Sequence, residues 1–200
     1  MNSVDIQKMK RLGKLTLRNG IFPGTGNNFH IIIKNSTFTF SHIHNFSFAT
    51  LTMIWTLKPF NDLTAKELYN ILQLRNEVFI VEQNCPYQDL DNKDLRAWHL
   101  TGMKDGNLLA YCRLLAPGIS YSESSIGRIV SSPSARKTGI GKKLMLESID
   151  QIRNLFQTDT IRIGAQLYLQ KFYESFGFIK DSDIYLEDDI PHIQMLRKPK

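Results

Sequence analysis

Cysteine is scarce in this chain: Cys85 and Cys112 are the only two in 200 residues. They form no C-x-x-C pair and lie in different predicted elements, which excludes a disulfide framework and gives no zinc site. No motif marks either thiol as a nucleophile. No apolar run approaches the roughly 20 residues that span a bilayer, and no compact apolar segment follows the basic start, as a secretory signal would require. A cytoplasmic protein without a membrane partner is expected. Acidic residues are nearly absent from the first 52 positions, where Asp5 alone faces Lys8, Lys10, Arg11, Lys14, Arg18 and Lys34. Of the formal charge of +6, +5 therefore belongs to this leader, because the remainder holds 19 of the 25 basic and 18 of the 19 acidic residues. A domain so nearly balanced gives little electrostatic support for nucleic-acid binding.

Two familiar phosphate loops are also missing. A Walker A loop needs Gly five residues before Gly141 and Ser or Thr after the Lys, yet Arg136 and Lys143 stand there. The dinucleotide pattern G-x-G-x-x-G needs a third Gly where Leu144 stands. What is present is an apolar run, Ile126 to Val130, a Pro-containing turn, and then Arg136-Lys137-Thr138-Gly139-Ile140-Gly141-Lys142 opening an amphipathic helix. Gly139 and Gly141 allow the backbone to approach a ligand, and the helix start offers unpaired N–H groups and a positive dipole end. Such a cradle suits a diphosphate.

Hydrophobic periodicity predicts regular structure from Met53 onward. Ile54 to Leu57 reads as a strand, and Thr64-Ala65-Lys66-Glu67 as a capping box opening a helix through Leu68, Ile71, Leu72 and Arg75. Ala97 to Lys104 and Leu108 to Leu115 flank the hairpin signal Asp105-Gly106-Asn107. Strands follow at Ser125 to Ser131 and Ile161 to Ala165. Helices are predicted after Gly139, with the stripe Ile140, Leu144, Ile149, Ile152 and Phe156, and over Leu167 to Phe176. Two strands, around Tyr185 and His192 to Leu196, complete the order βαβββαβαββ, a mixed sheet flanked by helices. Residues 1–52 are expected to be a basic, poorly ordered extension, with translation starting upstream of a natural start at Met53. An edge strand or a transit peptide are the other readings.

The segment R-x-x-G-x-G, Arg136 to Gly141 after Ile129-Val130-Ser131, resembles the acetyl-CoA signature of the GNAT N-acetyltransferase superfamily. Gly164 to Phe178, where a helix ends in Tyr, three residues and Gly-Phe, resembles that superfamily's later motif. Leu74 to Asp91, Gly164-Ala165-Gln166 and Glu187 to Ile193 narrow the resemblance to the ElaA-like subgroup, over residues 53–200. The resemblance implies a single-domain α/β (α+β mixed-sheet) GNAT acyl-CoA N-acyltransferase fold. Acetyl-CoA is the implied co-substrate, and no metal is implied. A bulge at Ile129, Val130 and Ser131 would present amides to the acetyl carbonyl. Arg136, Lys137, Thr138, Gly139, Ile140, Gly141 and Lys142 would hold the diphosphate, and Gln166 the cofactor arm. By the same resemblance Tyr173 protonates the departing thiolate. Its place in the stripe Leu169, Phe172, Tyr173, Phe176 equally suits a core residue.

Acetyl transfer to an amine requires an alkylammonium of pKa ~10.4 to lose a proton. Glu82, Glu187 and His192 are the candidate bases, each with an alternative reading as a helix-end, loop or structural side chain. Asp89, Asp91 and Asp94 with Glu187, Asp188 and Asp189 would attract a cationic acceptor or are ordinary exposed loops. The expected partner is a small-molecule or peptide amine, not nucleic acid, and a homodimer is left open. Two other functions fit the cradle: a non-catalytic acyl-CoA sensor, and an acyl-homoserine-lactone-synthase-like acyltransferase.

Overall fold

The computed structural model describes residues 52–199 and, before them, the backbone of two strands. These strands, β1 (Phe29–Ile33) and β2 (Ser36–Phe40), pair antiparallel with Phe29 opposite Phe40. The rest of residues 1–51, and with it the expectation of poor order for the 1–52 extension, lies outside the described residues.

From Ile54 the elements are β3 (Ile54–Pro59), α1 (Ala65–Arg75), β4 (Trp98–Lys104), β5 (Asn107–Leu115), β6 (Ser124–Ser131), α2 (Ile140–Phe156), β7 (Ile161–Gln166), α3 (Gln170–Glu174), β8 (Phe178–Lys180), β9 (Tyr185–Glu187) and β10 (Ile190–Arg197). The capping box is present in both halves: Glu67 N–H donates to Thr64 Oγ1 at 3.2 Å and Thr64 N–H to Glu67 Oε2 at 2.9 Å. The hairpin signal is a two-residue turn in which Asp105 (φ 53°) and Gly106 (φ 77°) are both left-handed, the combination that matches strand twist. Three local features depart from the sequence reading. The helix after Gln166 is a 3₁₀ turn, Leu167–Leu169, running into the short α3. Phe178–Lys180 forms an additional strand, and α1 runs on into a π-helical segment, Asn76–Glu82.

The sheet order is β3-β4-β5-β6-β7-β10-β8, with β9 on β10. Every pairing is antiparallel except β6 with β7. Alternation along β5 sends Ala110, Cys112 and Leu114 to one face, where α2 covers them with Ile140, Leu144, Met145, Ile149 and Ile152. Tyr111 points to the other face and packs with Val130 against Ile71, Leu74 and Val78 of α1 and its π-helical extension. Two helical layers thus clamp the middle of the sheet.

That middle is where regular pairing fails. The parallel strands β6 and β7 pair only at Ser124 with Ile161 and Ser125 with Arg162, although both continue. On the other side of β6, Tyr111 faces Val130 and Arg113 faces Gly127. Arg128 and Ile129 therefore oppose the single residue Cys112, a β-bulge with Arg128 in the left-handed region at φ 52°. No helix among the described residues is long and apolar enough to cross a membrane.

Candidate active site

The unpaired stretches of β6 and β7 open into a cleft of about 940 Å³. Ile129, Val130 and Ser131 line it from the bulged strand, Gln166 from β7, and Tyr173 from α3. Glu82, Glu187 and His192 line the same cleft.

One end is built by the turn between β6 and α2. After a 3₁₀ turn at Pro133–Ala135, Lys137 (φ 63°) and Gly139 (φ 83°) both take left-handed backbone, and Gly139 caps α2 without any side-chain hydrogen bond. The first amides of α2 are thus left for a ligand to satisfy. Ile140 and Leu144, 4% and 0% exposed, pin the helix start from below. A Cβ built on Gly141 would have Phe172 Cζ at 3.8 Å as its nearest neighbour, an ordinary van der Waals contact, so the protein itself does not crowd this position. Arg136, Lys137 and Lys142 line this end and supply three cations, and their donor chemistry fits a diphosphate. Thr138 does not line the cleft; its hydroxyl donates to the Ala135 carbonyl at 2.6 Å and holds the turn.

Arg136 has a partner of its own. Its guanidinium donates from Nη1 and Nη2 to the two carboxylate oxygens of Glu82, both at 2.7 Å. These hydrogen bonds hold the Glu82 carboxyl below the usual carboxylate range. Both side chains are about two-fifths exposed.

Tyr173 is 5% exposed, with Phe172 and Phe178 meeting its ring edge-on at 5.2 and 6.2 Å. Burial pushes its hydroxyl above the ordinary tyrosine range, so it stays protonated. His192 sits opposite Gln166 in the β10–β7 register and stacks on Tyr185 at 5.9 Å. Its Nδ1 donates to the Ile190 carbonyl at 2.8 Å, which in the neutral ring leaves the lone pair on Nε2. Gln166 Nε2 donates to Gln83 Oε1 at 3.2 Å, tying β7 to the π-helical segment's end. Glu187 is exposed at the rim, where Cys85 Sγ approaches the Asp188 carbonyl at 3.8 Å.

The acidic loop corrects the sequence reading. Asp89, Asp91 and Asp94 neither lie exposed nor face an acceptor freely; they are enclosed by Arg75, Arg113 and Arg128. Arg75, 0% exposed, donates from Nε to Asp89 at 2.8 Å and from Nη1 to Asp94 at 2.9 Å. Arg113 forks onto Asp91 at 2.6 and 2.8 Å and reaches Asp94 at 3.0 Å. Arg128 donates to Asp89 Oδ1 at 2.6 Å. Burial works against ionising Asp89 and Asp91, but the arginines outweigh it and hold both below the usual range. The signal available in the sequence was Arg113 itself, a charge inside the apolar run Leu108 to Leu115. A charge at such a position needs a partner.

Residues 65–198 match the family model described as an acetyltransferase (GNAT) domain. The chain is 40% identical over 146 residues to protein ElaA of Escherichia coli K12, covering 72% of this chain and 95% of that protein. A UPF0039 protein of Schizosaccharomyces pombe is 44% identical over 140 residues, 69% of this chain and 92% of that one. Among solved structures, an acyl-CoA N-acyltransferase from Pseudomonas aeruginosa matches with TM-score 0.69 and 48% identity, over 72% of this chain and 99% of its own. Escherichia coli ElaA matches with TM-score 0.70 and 39% identity, over 74% and 100%.

Proposed function

Because the chain belongs to the GNAT acetyltransferase family, we propose that it transfers an acetyl group from acetyl-CoA directly to the primary amine of a small molecule or peptide. The observation that carries this reading is the convergence on one cleft of an uncapped helix start, a bulged strand and a buried tyrosine. Arg136, Lys137, Lys142 and the amides around Gly139 and Gly141 hold the diphosphate, with Ile140 anchoring them and Thr138 bracing the turn. Gln166 contacts the pantetheine arm. Amides of Ile129, Val130 and Ser131 receive the acetyl carbonyl, stabilising charge that grows on its oxygen as the amine attacks. Acetyl-CoA supplies the acyl group; the residues supply position and proton transfer.

His192 is the proton acceptor that the geometry favours, since Nε2 is free to accept while Nδ1 is held by a carbonyl. Glu82 is committed to Arg136, and Glu187 stands exposed at the rim. As the N–C bond forms and the C–S bond breaks, Tyr173 gives its hydroxyl proton to the sulfur. Its raised pKa keeps the proton on the hydroxyl at neutral pH until the thiolate develops. Cys112 is fully buried and burial pushes its thiol up, which argues against an acyl-enzyme there. We take the setting as cytoplasmic.

Thiol release from acetyl-CoA across a panel of amines tests the proposal, alongside calorimetric binding of acetyl-CoA. Tight binding without acetylation of any amine makes the protein a sensor. In an active protein, Tyr173→Phe keeps the ring and its packing and should lower kcat by roughly 10²-fold, with affinity and Tm little changed. Cys85→Ala should retain turnover, and loss of turnover in a folded Cys85→Ala variant would replace direct transfer with an acyl-enzyme.

A further inference from the structure

We propose that Asp89 and Arg128 are positioning residues for acyl transfer: together they hold the bulge of β6 in the shape that aims its amides at the acetyl carbonyl. The inference rests on the function proposed above.

Arg128 occupies left-handed backbone at φ 52°, a conformation unfavourable to a non-glycine residue. Such a conformation persists only where the surroundings determine it. Here the surroundings are Asp91, whose Oδ2 lies 3.6 Å from Arg128 Nη2, and above all Asp89, which accepts from Arg128 twice: Nε donates to Oδ1 at 2.6 Å and Nη2 to the backbone carbonyl at 2.9 Å. The Arg128 guanidinium also lies over the Tyr87 ring at 5.7 Å, and Tyr87 Oη donates to Asp89 Oδ1 at 2.9 Å.

Asp89 is itself immobilised. Arg75, at the C-terminal end of α1, donates to its Oδ2 at 2.8 Å and to its carbonyl at 3.0 Å. The fully buried Arg75 cannot follow a moving loop. A continuous set of charge-assisted bonds therefore runs from the last turn of α1 through Asp89 to the bulge, and none of these bonds involves the 136–142 turn. Arg128 lines the cleft; Asp89 does not. Its influence on the reaction has to pass through Arg128.

This division makes a separable prediction. Arg128→Gly removes the tether yet places at φ 52° the one residue that adopts it freely, so the fold survives. Affinity for CoA should stay within about twofold of native, because the diphosphate cradle is untouched. With the amides free to drift, kcat should fall by about tenfold or more, the scale on which small displacements act in preorganised sites. Asp89→Asn should give a loss of the same size, and Arg128→Lys, with charge but no fork, a smaller one. The double variant should be no worse than Arg128→Gly, as expected for residues acting in series.

The decisive readout is the infrared carbonyl band of acetyl-CoA labelled with ¹³C at the acetyl carbonyl. Bound to the native protein it should lie below the band of the free thioester, and in Arg128→Gly it should return toward the free position at unchanged CoA affinity. A native band no lower than the free one overturns the proposal. So does an Arg128→Gly variant with native band and native turnover, or an Asp89→Asn effect that adds to that of Arg128→Gly. If the band behaves as expected while no amine is acetylated, the transfer reading fails and the tether stands.

Discussion

The cleft is bounded by two sets of arginine–carboxylate pairs with opposite physical characters. Arg136 and Glu82 meet at 2.7 Å with side chains 39% and 43% exposed, so water competes with every bond they make. Arg75, Arg113 and Arg128 meet Asp89, Asp91 and Asp94 in a neutral cluster whose members are 0–24% exposed. An exposed pair contributes at most about 1 kcal/mol and exchanges readily, whereas breaking a buried one costs about 3–5 kcal/mol through the charge it leaves behind. The same side-chain chemistry thus gives a replaceable cation at the diphosphate end and a fixed scaffold under the bulge. A ligand that binds and leaves needs the first, and a carbonyl site that must not move needs the second.

The largest effect expected from this contrast is on stability. Arg75→Met keeps much of the volume but removes a guanidinium whose loss leaves Asp89 and Asp94 short of a counter-charge in the interior. We expect a loss of about 3–5 kcal/mol and, for a domain of this size, a Tm lower by about 10 °C. Arg136→Met should change stability by no more than about 0.5 kcal/mol. Calorimetric melts of the two variants, side by side, measure the contrast directly, and equal Tm values would abolish it.

Ligand affinity should show the reverse order. Arg136→Ala is expected to weaken acetyl-CoA binding about 10- to 100-fold, the scale of a lost charge-assisted bond, and it leaves Glu82 unscreened beside the incoming phosphates. Gly141→Val sharpens the test, since a Cβ there meets only Phe172 Cζ at 3.8 Å and the fold has room for it. Its Tm should hold while binding falls. Gly139→Val differs because φ is 83° there, so the folded state should suffer too. Isothermal titration and melting curves on the two glycine variants distinguish a ligand clash from backbone strain.

How legible each side was in the sequence follows from the same geometry. The diphosphate turn is contiguous, Arg136 to Lys142, and its glycines and cations declare their chemistry within seven residues. The capping box, the Asp105-Gly106 hairpin and the stripe of α2 were readable for the same reason: each is a local contact repeated at a fixed spacing. The arginine–aspartate cluster joins residues 14 to 39 positions apart, and pattern alone could not pair them. Asp89, Asp91 and Asp94 consequently read as a solvated acidic loop. The π-helical segment Asn76–Glu82 has no pattern of its own because its sequence continues the helix before it, and only packing fixes the wider turn. The Glu82–Arg136 pair, 54 positions apart, lies beyond the reach of any local pattern.

That pair yields the smallest effect and the finest discrimination. Before the diphosphate can use Arg136 fully, it must displace Glu82, so Glu82→Gln should raise acetyl-CoA affinity by up to about fivefold, the exchange value of an exposed ion pair. The advantage must depend on pH with a definite sign. The folded-state pKa of Glu82 is depressed by Arg136, so the competing bond is present above the usual carboxylate range and is lost as pH falls through the lowered value. Native and Glu82→Gln proteins should therefore differ in acetyl-CoA affinity at neutral pH and converge on acidification. Comparing the two at each pH cancels protonation of the ligand itself. Unaltered affinity joined to a roughly 10²-fold loss of kcat would instead make Glu82 the proton acceptor. Arg136 would then act as the group that keeps that acceptor ionised, and His192 would lose the role assigned to it.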